Sequence, residues 1–452
     1  MHTAAQPNVL YINCDDLGYG DLGCYGSTVN QTPTIDKLAE EGVRFTSFYA
    51  ASSVCTPSRA ALMTGCYAQR VEMPAVIFPA AKTGLNKNEY TLGKLFKDQG
   101  YATMIIGKWH CGDNAETLPC HFGFDDYYGI PYSNDMGRQK GANEHMPPLP
   151  LMHGHSIIEE QPDQCGITER YTERAVEFIR RNASQPFFLY MAHMHVHLPL
   201  YEQERFLRES KNGDYGACVA SLDFSLAAIL HELKRLNIYH NTIIIFTSDN
   251  GSRAADGASN APLRGCKFTA FEGGFRVPFI AHWKGHFKEH ALVDQMASNI
   301  DMLPTFAALL QSPLSSNKID GVNILPNLFG ENIPIRDEFA YYCKYSLAAI
   351  RKGKYKLHVG RIYDADTFDK PELYDLSVDV AEQNNLYESE GAIANELNTL
   401  CDPYRWQFGD DLLGMKGHEI RPCTKIENPA PLTEYDENHP YIVAMYDKED
   451  RG

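Results

Sequence analysis

The chain has 452 residues, 44% of them hydrophobic, and a formal net charge of −17 at neutral pH. That length can bury one large core and a smaller second one, and the acidic balance excludes nucleic-acid binding, which needs clustered Lys and Arg against phosphate. An anionic partner would need a local patch of positive charge. No run of about 18 apolar residues stands out as a membrane span. The opening "MHTAAQPNVLYIN" passes directly into a strand pattern, without a basic and apolar leader. The twelve cysteines show neither C-x-x-C spacing nor the density of a disulfide scaffold. As written, these features predict reduced thiols, a cytoplasmic location and no membrane partner; a periplasmic or secreted location is expected if a signal peptide has been removed.

In chain order, apolar runs alternate with helical periodicities. Strands are predicted at "NVLYIN" (8–13), "ATMIIG" (102–107), "PFFLYMAH" (186–193) and "TIIIFTSDNG" (242–251), and helices at "TIDKLAEEG" (34–42), "TLGKLFKDQG" (91–100), "TERYTERAVEFIRR" (168–181) and "ACVASLDFSLAAILHELKRL" (217–236). Continuously apolar strands separated by helices predict an α/β fold, a large mostly parallel sheet covered on both faces. Ligands collect beyond the carboxyl ends of such strands. Asp15 and Asp16, Lys108 and His110, the histidines after "FFLYM", and Asp249 and Asn250 all fall there. From about residue 331 the texture changes: the polar joint "GENIPIRDE" precedes "FAYYCKY", "LAAIRKGKYKLHV" and "PELYDL", short strands of a smaller antiparallel sheet with a helix. The expected division is 1–332 and 333–452, with a tail after about 403 that has no fold of its own.

The stretch "CTPSRAALMTG" (55–65) places Cys55 at the mouth of a helix, four residues before Arg59. Alone, such a cysteine reads as a small buried hydrophobe. A phosphatase thiolate with lowered pKa needs a longer Cys–Arg loop than the three intervening residues here. The pentapeptide and its helical continuation resemble the Cys-x-Pro-x-Arg signature of the formylglycine-dependent, type I sulfatases of the alkaline-phosphatase superfamily, in particular arylsulfatase-like and N-acetylgalactosamine-6-sulfatase-like members. The resemblance implies an alkaline-phosphatase-like fold. It also implies oxidation of Cys55 to formylglycine by a maturation enzyme, a transient partner. A hydrated aldehyde has two hydroxyls: one attacks sulfur, and deprotonation of the other ejects sulfate as the carbonyl reforms.

The remaining motifs extend the resemblance over most of the chain. "NCDDLGYGDLGCYG" and "SDNG" bring three carboxylates and an amide to strand ends. Singly these are as readily caps or turns; together they need a hard cation between them, Ca²⁺ first and Mg²⁺ second. The family holds Ca²⁺ at the positions of Asp15, Asp16, Asp249 and Asn250, with residue 55 as a further ligand. "GKWHCG" carries over Lys108 as a sulfate and aldehyde contact and His110 as the base that breaks down the sulfated hemiacetal. "YMAHMHVHLPLY" is less clean: if extended, His193, His195 and His197 share a face, as a zinc site or a polar strand edge would have it. The family pattern selects His197 as the residue near the leaving-group oxygen. "LRGCKFTAFEGGFRVP" puts Lys267 on the sulfate and leaves Glu272, Gly273 and Gly274 to the turn, and "GIPYSNDMG" gives Ser133 as a sulfate contact. Val380 stands where the family's closing segment commonly has proline.

The implied activity is hydrolysis of a sulfate ester, on a carbohydrate in preference to an aryl group. A phosphodiesterase or phosphonate monoester hydrolase of the same superfamily, and an unconverted sulfated-glycan binder, are the alternatives. Specificity is expected in loops 67–90, 112–165 and 252–266, where Tyr127, Tyr128, Tyr132 and Phe268 are compatible with stacking on a sugar or with packing.

Overall fold

The computed structural model describes residues 6–139, 141, 143–360, 370–442 and 446–448. A ten-stranded sheet organises the first part of the chain. In chain order its strands are β1 (Asn8–Cys14), β2 (Val43–Phe45), β3 (Ala102–Gly107), β4 (Asp126–Gly129), β5 (Pro150–His153), β6 (Ser156–Glu160), β7 (Phe187–Ala192), β8 (Thr242–Ser248), β9 (Phe279–His282) and β10 (Ala291–Val293). In space they run β10-β2-β9-β8-β1-β7-β3-β4-β5-β6. The central strands β8-β1-β7-β3-β4 are parallel. Antiparallel pairs lie outside them: β9 with β8 and β2 on one side, the β5–β6 hairpin on the other.

Every residue of β1, β7 and β8 is buried, as strands covered on both faces must be. Successive β1 side chains go to opposite faces. Val9 and Tyr11 join an apolar cluster with helices α2 (Cys55–Thr64), α3 (Leu92–Asp98) and Met302–Leu309. Leu10 and Ile12 join a second cluster with α1 (Pro33–Glu40), α4 (Ile167–Arg181) and α5 (Gly213–Arg235). Helix α5 is long and apolar enough to cross a membrane by composition, against the sequence expectation. Most of that stretch is buried against the sheet and neighbouring helices, which accounts for its all-round hydrophobicity.

Strands β11 (Glu338–Cys343), β12 (Ser346–Lys352), β13 (Tyr355–His358) and β14 (Glu372–Asp375) form an antiparallel sheet in that order, with the helix Gly391–Phe408 packed on it. Among the described residues, the chain beyond this helix has little regular structure but is stitched onto the large sheet's half. Thr424–Lys425 pairs with Thr83–Gly84, Arg421 ion-pairs with Glu89 at 2.7 Å, and the Tyr446 hydroxyl donates to Pro162 O at 2.9 Å.

A buried charge cluster joins the two sheets. Glu272 Oε1 accepts from the Tyr341 hydroxyl (2.9 Å) and Lys356 Nζ (3.0 Å), Oε2 accepts from the Tyr49 hydroxyl, and Glu382 reaches Lys356 (3.1 Å), His358 (2.8 Å) and the Glu272 N–H (2.7 Å). Burial would push the Glu272 carboxyl up, but Lys356, Arg351 and Arg276 outweigh it and hold the group below the usual carboxylate range. Removing Lys356 takes away the one cation that Glu272 and Glu382 share, leaving Glu272 to the more distant Arg276 and Arg351 and Glu382 to His358. Lys356→Met is therefore expected to cost about 3–5 kcal/mol, read as a lower urea midpoint at unchanged m-value; an unshifted midpoint refutes a structural role for the cluster.

Asp21 fixes the 252–266 loop: Oδ1 accepts from Ser259 N and Oδ2 from Gly18 N, each at 2.8 Å, and from the Tyr215 hydroxyl. Burial pushes this carboxyl from 3.8 up to about 7 against those bonds. The unfolded chain thus loses the Asp21 proton first, and the group's contribution to stability falls as pH rises from about 4 to about 7. Chemical denaturation of wild type and Asp21→Asn at about pH 5 and about pH 8 should show the variant gaining relative stability at the higher pH; a pH-independent difference contradicts this.

Candidate active site

Parallel register brings the acidic strand ends together. Cys14 pairs with Ser248, so Asp15 and Asp249 leave the sheet side by side, and Asp249 N–H donates to Cys14 O at 3.0 Å. Asp16 follows in the left-handed region (φ 61°), which Asp tolerates better than most residues, and its N–H donates to Asp249 Oδ1 at 3.2 Å. At the end of β3, Gly107 (φ 105°) lies so close to β7 that a Cβ would meet Ala192 O at 1.8 Å. This approach lets Lys108 N–H donate to Ala192 O at 2.8 Å. Lys108 Nζ then reaches Asp15 Oδ2 and Ser133 Oγ, both at 2.6 Å.

Cys55 is the first residue of α2. Pro57 sits in the first turn, where its missing N–H would have had no intrahelical partner. Arg59, one turn on, shares the face of Cys55. Its Nε (2.9 Å) and Nη2 (2.7 Å) bind Asp249 Oδ2, its Nη1 donates to Lys108 O (2.9 Å), and Nη2 lies 3.4 Å from Asp15 Oδ1. The Ser58 hydroxyl donates to Asp249 O, and Asn299 Nδ2 donates to Ser58 O and Oγ at 3.0 Å, fixing the helix to the strand ends.

Lys267 Nζ bridges Asp16 Oδ2 and His197 Nε2, both at 2.9 Å. His197 Nδ1 faces Leu198 O (2.6 Å) and Asn134 Oδ1 (3.0 Å). With two acceptors there, the proton belongs on Nδ1, and Nε2 accepts from Lys267. His110, also left-handed (φ 58°), places Nε2 3.0 Å from Ile77 O, while its buried Nδ1 has no hydrogen-bond partner.

Burial dominates the titration of these groups. It raises the Cys55 thiol, with Lys108 and Lys267 opposing and Asp15 and Asp249 reinforcing, so the unmodified side chain is a protonated thiol rather than a thiolate. Burial and then Lys108 push His110 well below the usual imidazole value, and burial and then Lys267 lower His197. For Asp15, burial is overcome by Lys108, His197, Arg59 and Lys267, which keep it ionised. Asp249 is pushed up by burial beyond what Arg59 offsets. Asp15, Asp16 and Asp249 each lie within bonding reach of at least one of Arg59, Lys108 and Lys267.

The donor set fits a hard divalent ion. Asp15 Oδ1 and Asn250 Oδ1 are buried without a hydrogen bond, and Asn250 is oriented by its Nδ2 bonds to Asp16 Oδ1 (2.7 Å) and Gly251 O (3.0 Å). Asp15, Asp16 and His197 also bring ligand atoms within 4.8 Å of one another. The His197 Nε2 lone pair is engaged by Lys267, however, leaving an oxygen set suited to Ca²⁺ or Mg²⁺.

The structure decides two points that the sequence left open, selecting His197 among the histidines and packing for the tyrosines. Strand β7 ends at Ala192, so the three histidines do not share a strand face: His193 approaches Ser225 Oγ (3.4 Å), His195 turns toward Glu202 and Cys218, and only His197 joins the cluster. Tyr127, Tyr128 and Tyr132 are buried packing residues and cannot stack on a sugar, whereas Phe268 is half-buried beside Lys267. Asn134 and Asn299 are additional residues of the cluster that no motif marks. Asn134 adjoins Ser133 in the quoted loop and was in reach; nothing in the sequence around Asn299 marks its partner 241 residues away.

A mixed but centrally parallel sheet with Cys55, cations and carboxylates gathered at its carboxyl ends belongs to the alkaline-phosphatase-like α/β class. The sulfatase family profile matches residues 7–312, and that of the N-sulphoglucosamine sulphohydrolase C-terminal region matches residues 266–401. Arylsulfatase A of Bos taurus is 37% identical over 438 residues, covering 88% of this chain and 86% of its own. N-acetylgalactosamine-6-sulfatase of Canis lupus familiaris is 37% identical over 380 residues, with 78% and 71% covered. Among solved structures, i-CgsB in complex with k-i-k-neocarrahexaose superposes with a TM-score of 0.79 at 30% identity, over 91% of this chain and 95% of that one. The chain belongs to the sulfatase family and is a sulfuric ester hydrolase.

Arg59→Lys keeps the charge but loses the planar fork shared between Asp249 and Lys108 O. It is expected to lower kcat/KM by about 10²–10³-fold with an unchanged far-ultraviolet circular dichroism spectrum; near-wild-type turnover would show that charge alone suffices.

Proposed function

We propose that the protein hydrolyses a sulfate ester carried on a carbohydrate, with Cys55 matured to formylglycine as nucleophile and Ca²⁺ beside it, Mg²⁺ being the second choice. The observation that carries this reading is the bonding of Arg59, one turn beyond Cys55, to the paired strand-end carboxylates Asp15 and Asp249. The protonated state of the unmodified thiol supports a requirement for conversion. The carbohydrate assignment draws on relatives named for N-acetylgalactosamine 6-sulfate and on the neighbour solved with k-i-k-neocarrahexaose.

The hydrated aldehyde supplies one hydroxyl to attack sulfur and a second whose deprotonation releases sulfate. Asp15, Asp16, Asp249 and Asn250 would hold the ion, which supplies fixed positive charge at the sulfate oxygens. Arg59, Lys108 and Lys267 fix those oxygens in a site with little water, where preorganised charge is most effective. The Ser133 hydroxyl, bonded to Lys108, adds a contact. Asp249, its proton affinity raised by burial, receives the attacking hydroxyl's proton. The lone pair on His110 Nδ1 takes the second hydroxyl's proton. The departing alcohol is protonated from Lys267 directly or through His197 Nε2.

Mass spectrometry of tryptic peptide 45–59 should show CH₂SH replaced by an aldehyde in active protein. Cys55→Ala should lose about 10⁴-fold or more in kcat, and chelation of divalent ions should depress turnover reversibly. A panel of sulfated monosaccharides, with aryl phosphate and phosphonate esters as controls, locates the preferred sulfate position. An intact thiol in turnover-competent protein, or faster phosphonate cleavage, overturns the proposal.

A further inference from the structure

We propose a second metal site, buried and separate from the catalytic one, formed by His195, Glu202 and Cys218 and suited to a borderline divalent ion such as Zn²⁺ or Co²⁺. One ligand atom from each residue lies within 4.8 Å of the other two. His195 and Cys218 are fully buried and Glu202 is 5% exposed. His195 and Glu202 come from the loop that follows β7, and Cys218 comes from the N-terminal part of α5, so the fold rather than local sequence assembles the trio.

The polar accounting of this spot is incomplete without a ligand. Both ring nitrogens of His195 and Glu202 Oε2 are buried without a well-formed hydrogen bond; their polar neighbours are the Tyr201 backbone for His195 and the Ser221 hydroxyl for Glu202. Several such atoms converging at one point call for a common partner. Glu202 Oε1 is occupied by the Gln203 N–H at 2.8 Å, and the single proton of the Ser221 hydroxyl goes to Cys218 O at 2.9 Å. Those neighbours therefore leave Oε2 and the imidazole lone pair available.

Charge and donor chemistry agree on the occupant. A neutral imidazole, a carboxylate and a thiolate carry two negative charges, which a dication cancels in an interior that tolerates neither sign alone. Binding an ion there displaces the carboxyl and thiol protons. A nitrogen, oxygen and sulfur set selects zinc-like ions and disfavours Ca²⁺, the reverse of the oxygen-only catalytic set. The ion would fasten the loop to α5. That loop carries His197 and is bonded to Asp15 in both directions, Asp15 N–H to His195 O (3.2 Å) and Val196 N–H to Asp15 O (2.7 Å).

The test titrates chelator-stripped full-length protein with Co²⁺ and Zn²⁺. One Co²⁺ per chain should bind with a near-ultraviolet thiolate-to-cobalt charge-transfer band. Cys218→Ser should abolish the band and weaken Zn²⁺ binding by about tenfold or more, whereas Asp16→Asn, confined to the catalytic cluster, should leave the band intact. A band that persists in Cys218→Ser, or folded stripped protein that takes up neither ion, overturns the site. Should Cys218→Ser fail to fold, X-ray absorption on Zn²⁺-loaded wild type decides: one sulfur in the coordination shell supports the proposal, and an all-nitrogen-and-oxygen shell refutes it.

Discussion

Six charges placed side by side in a nearly dry pocket set the terms for everything around them. Asp15, Asp16 and Asp249 face Arg59, Lys108 and Lys267, and none of the six is more than a few per cent exposed. Burying one such ion unpaired costs several kcal/mol even after relaxation, so the arrangement persists only because each charge has an opposite within bonding reach. The cations come from α2, from the end of β3 and from the loop before Glu272; the carboxylates come from β1 and β8. Neutrality therefore requires that strands and loops far apart in sequence meet at one end of the sheet.

Much of this was readable from the sequence because strand ends are readable. The continuous apolar runs at 8–13, 102–107, 186–193 and 242–251 map onto β1, β3, β7 and β8, and the polar residues just past them had nowhere to go but the carboxyl edge. Strands β2, β9 and β10 span only three or four residues each, too few to establish a period, and so the antiparallel flank was not foreseen. The histidines misled for a related reason: alternation sorts side chains only while the strand lasts, and β7 stops one residue before His193. Exposure is equally invisible to motif reading. Tyr127 and Tyr128 lie in a loop by composition, yet they belong to β4 and are buried in it.

Long-range polar partners were the least legible feature. Asn299 holds Ser58, and Asn134 sets the tautomer of His197, through side-chain bonds that no local pattern encodes. These bonds restrict the rotamers of Ser58 and His197, side chains that lie in or against the charged cluster.

The small C-terminal sheet takes part in the same restriction. Lys267 lies five residues before Glu272, in a loop whose backbone is tied at both ends: Lys267 N–H to Ser252 O (2.8 Å), and Glu272 N–H to the Glu382 carboxylate (2.7 Å). Glu382 is itself held by Lys356 and His358 of β13, and its carbonyl accepts from Arg264 Nη1 at 2.6 Å. The lysine that bridges Asp16 and His197 is thus positioned from below by the large sheet and from behind by the small one. Glu272, which reads in the sequence as a turn residue beside two glycines, is the point where the second sheet grips the active-site loop. The second sheet braces the charged cluster through that buried ion network, and among the described residues its strands place no side chain in the cluster.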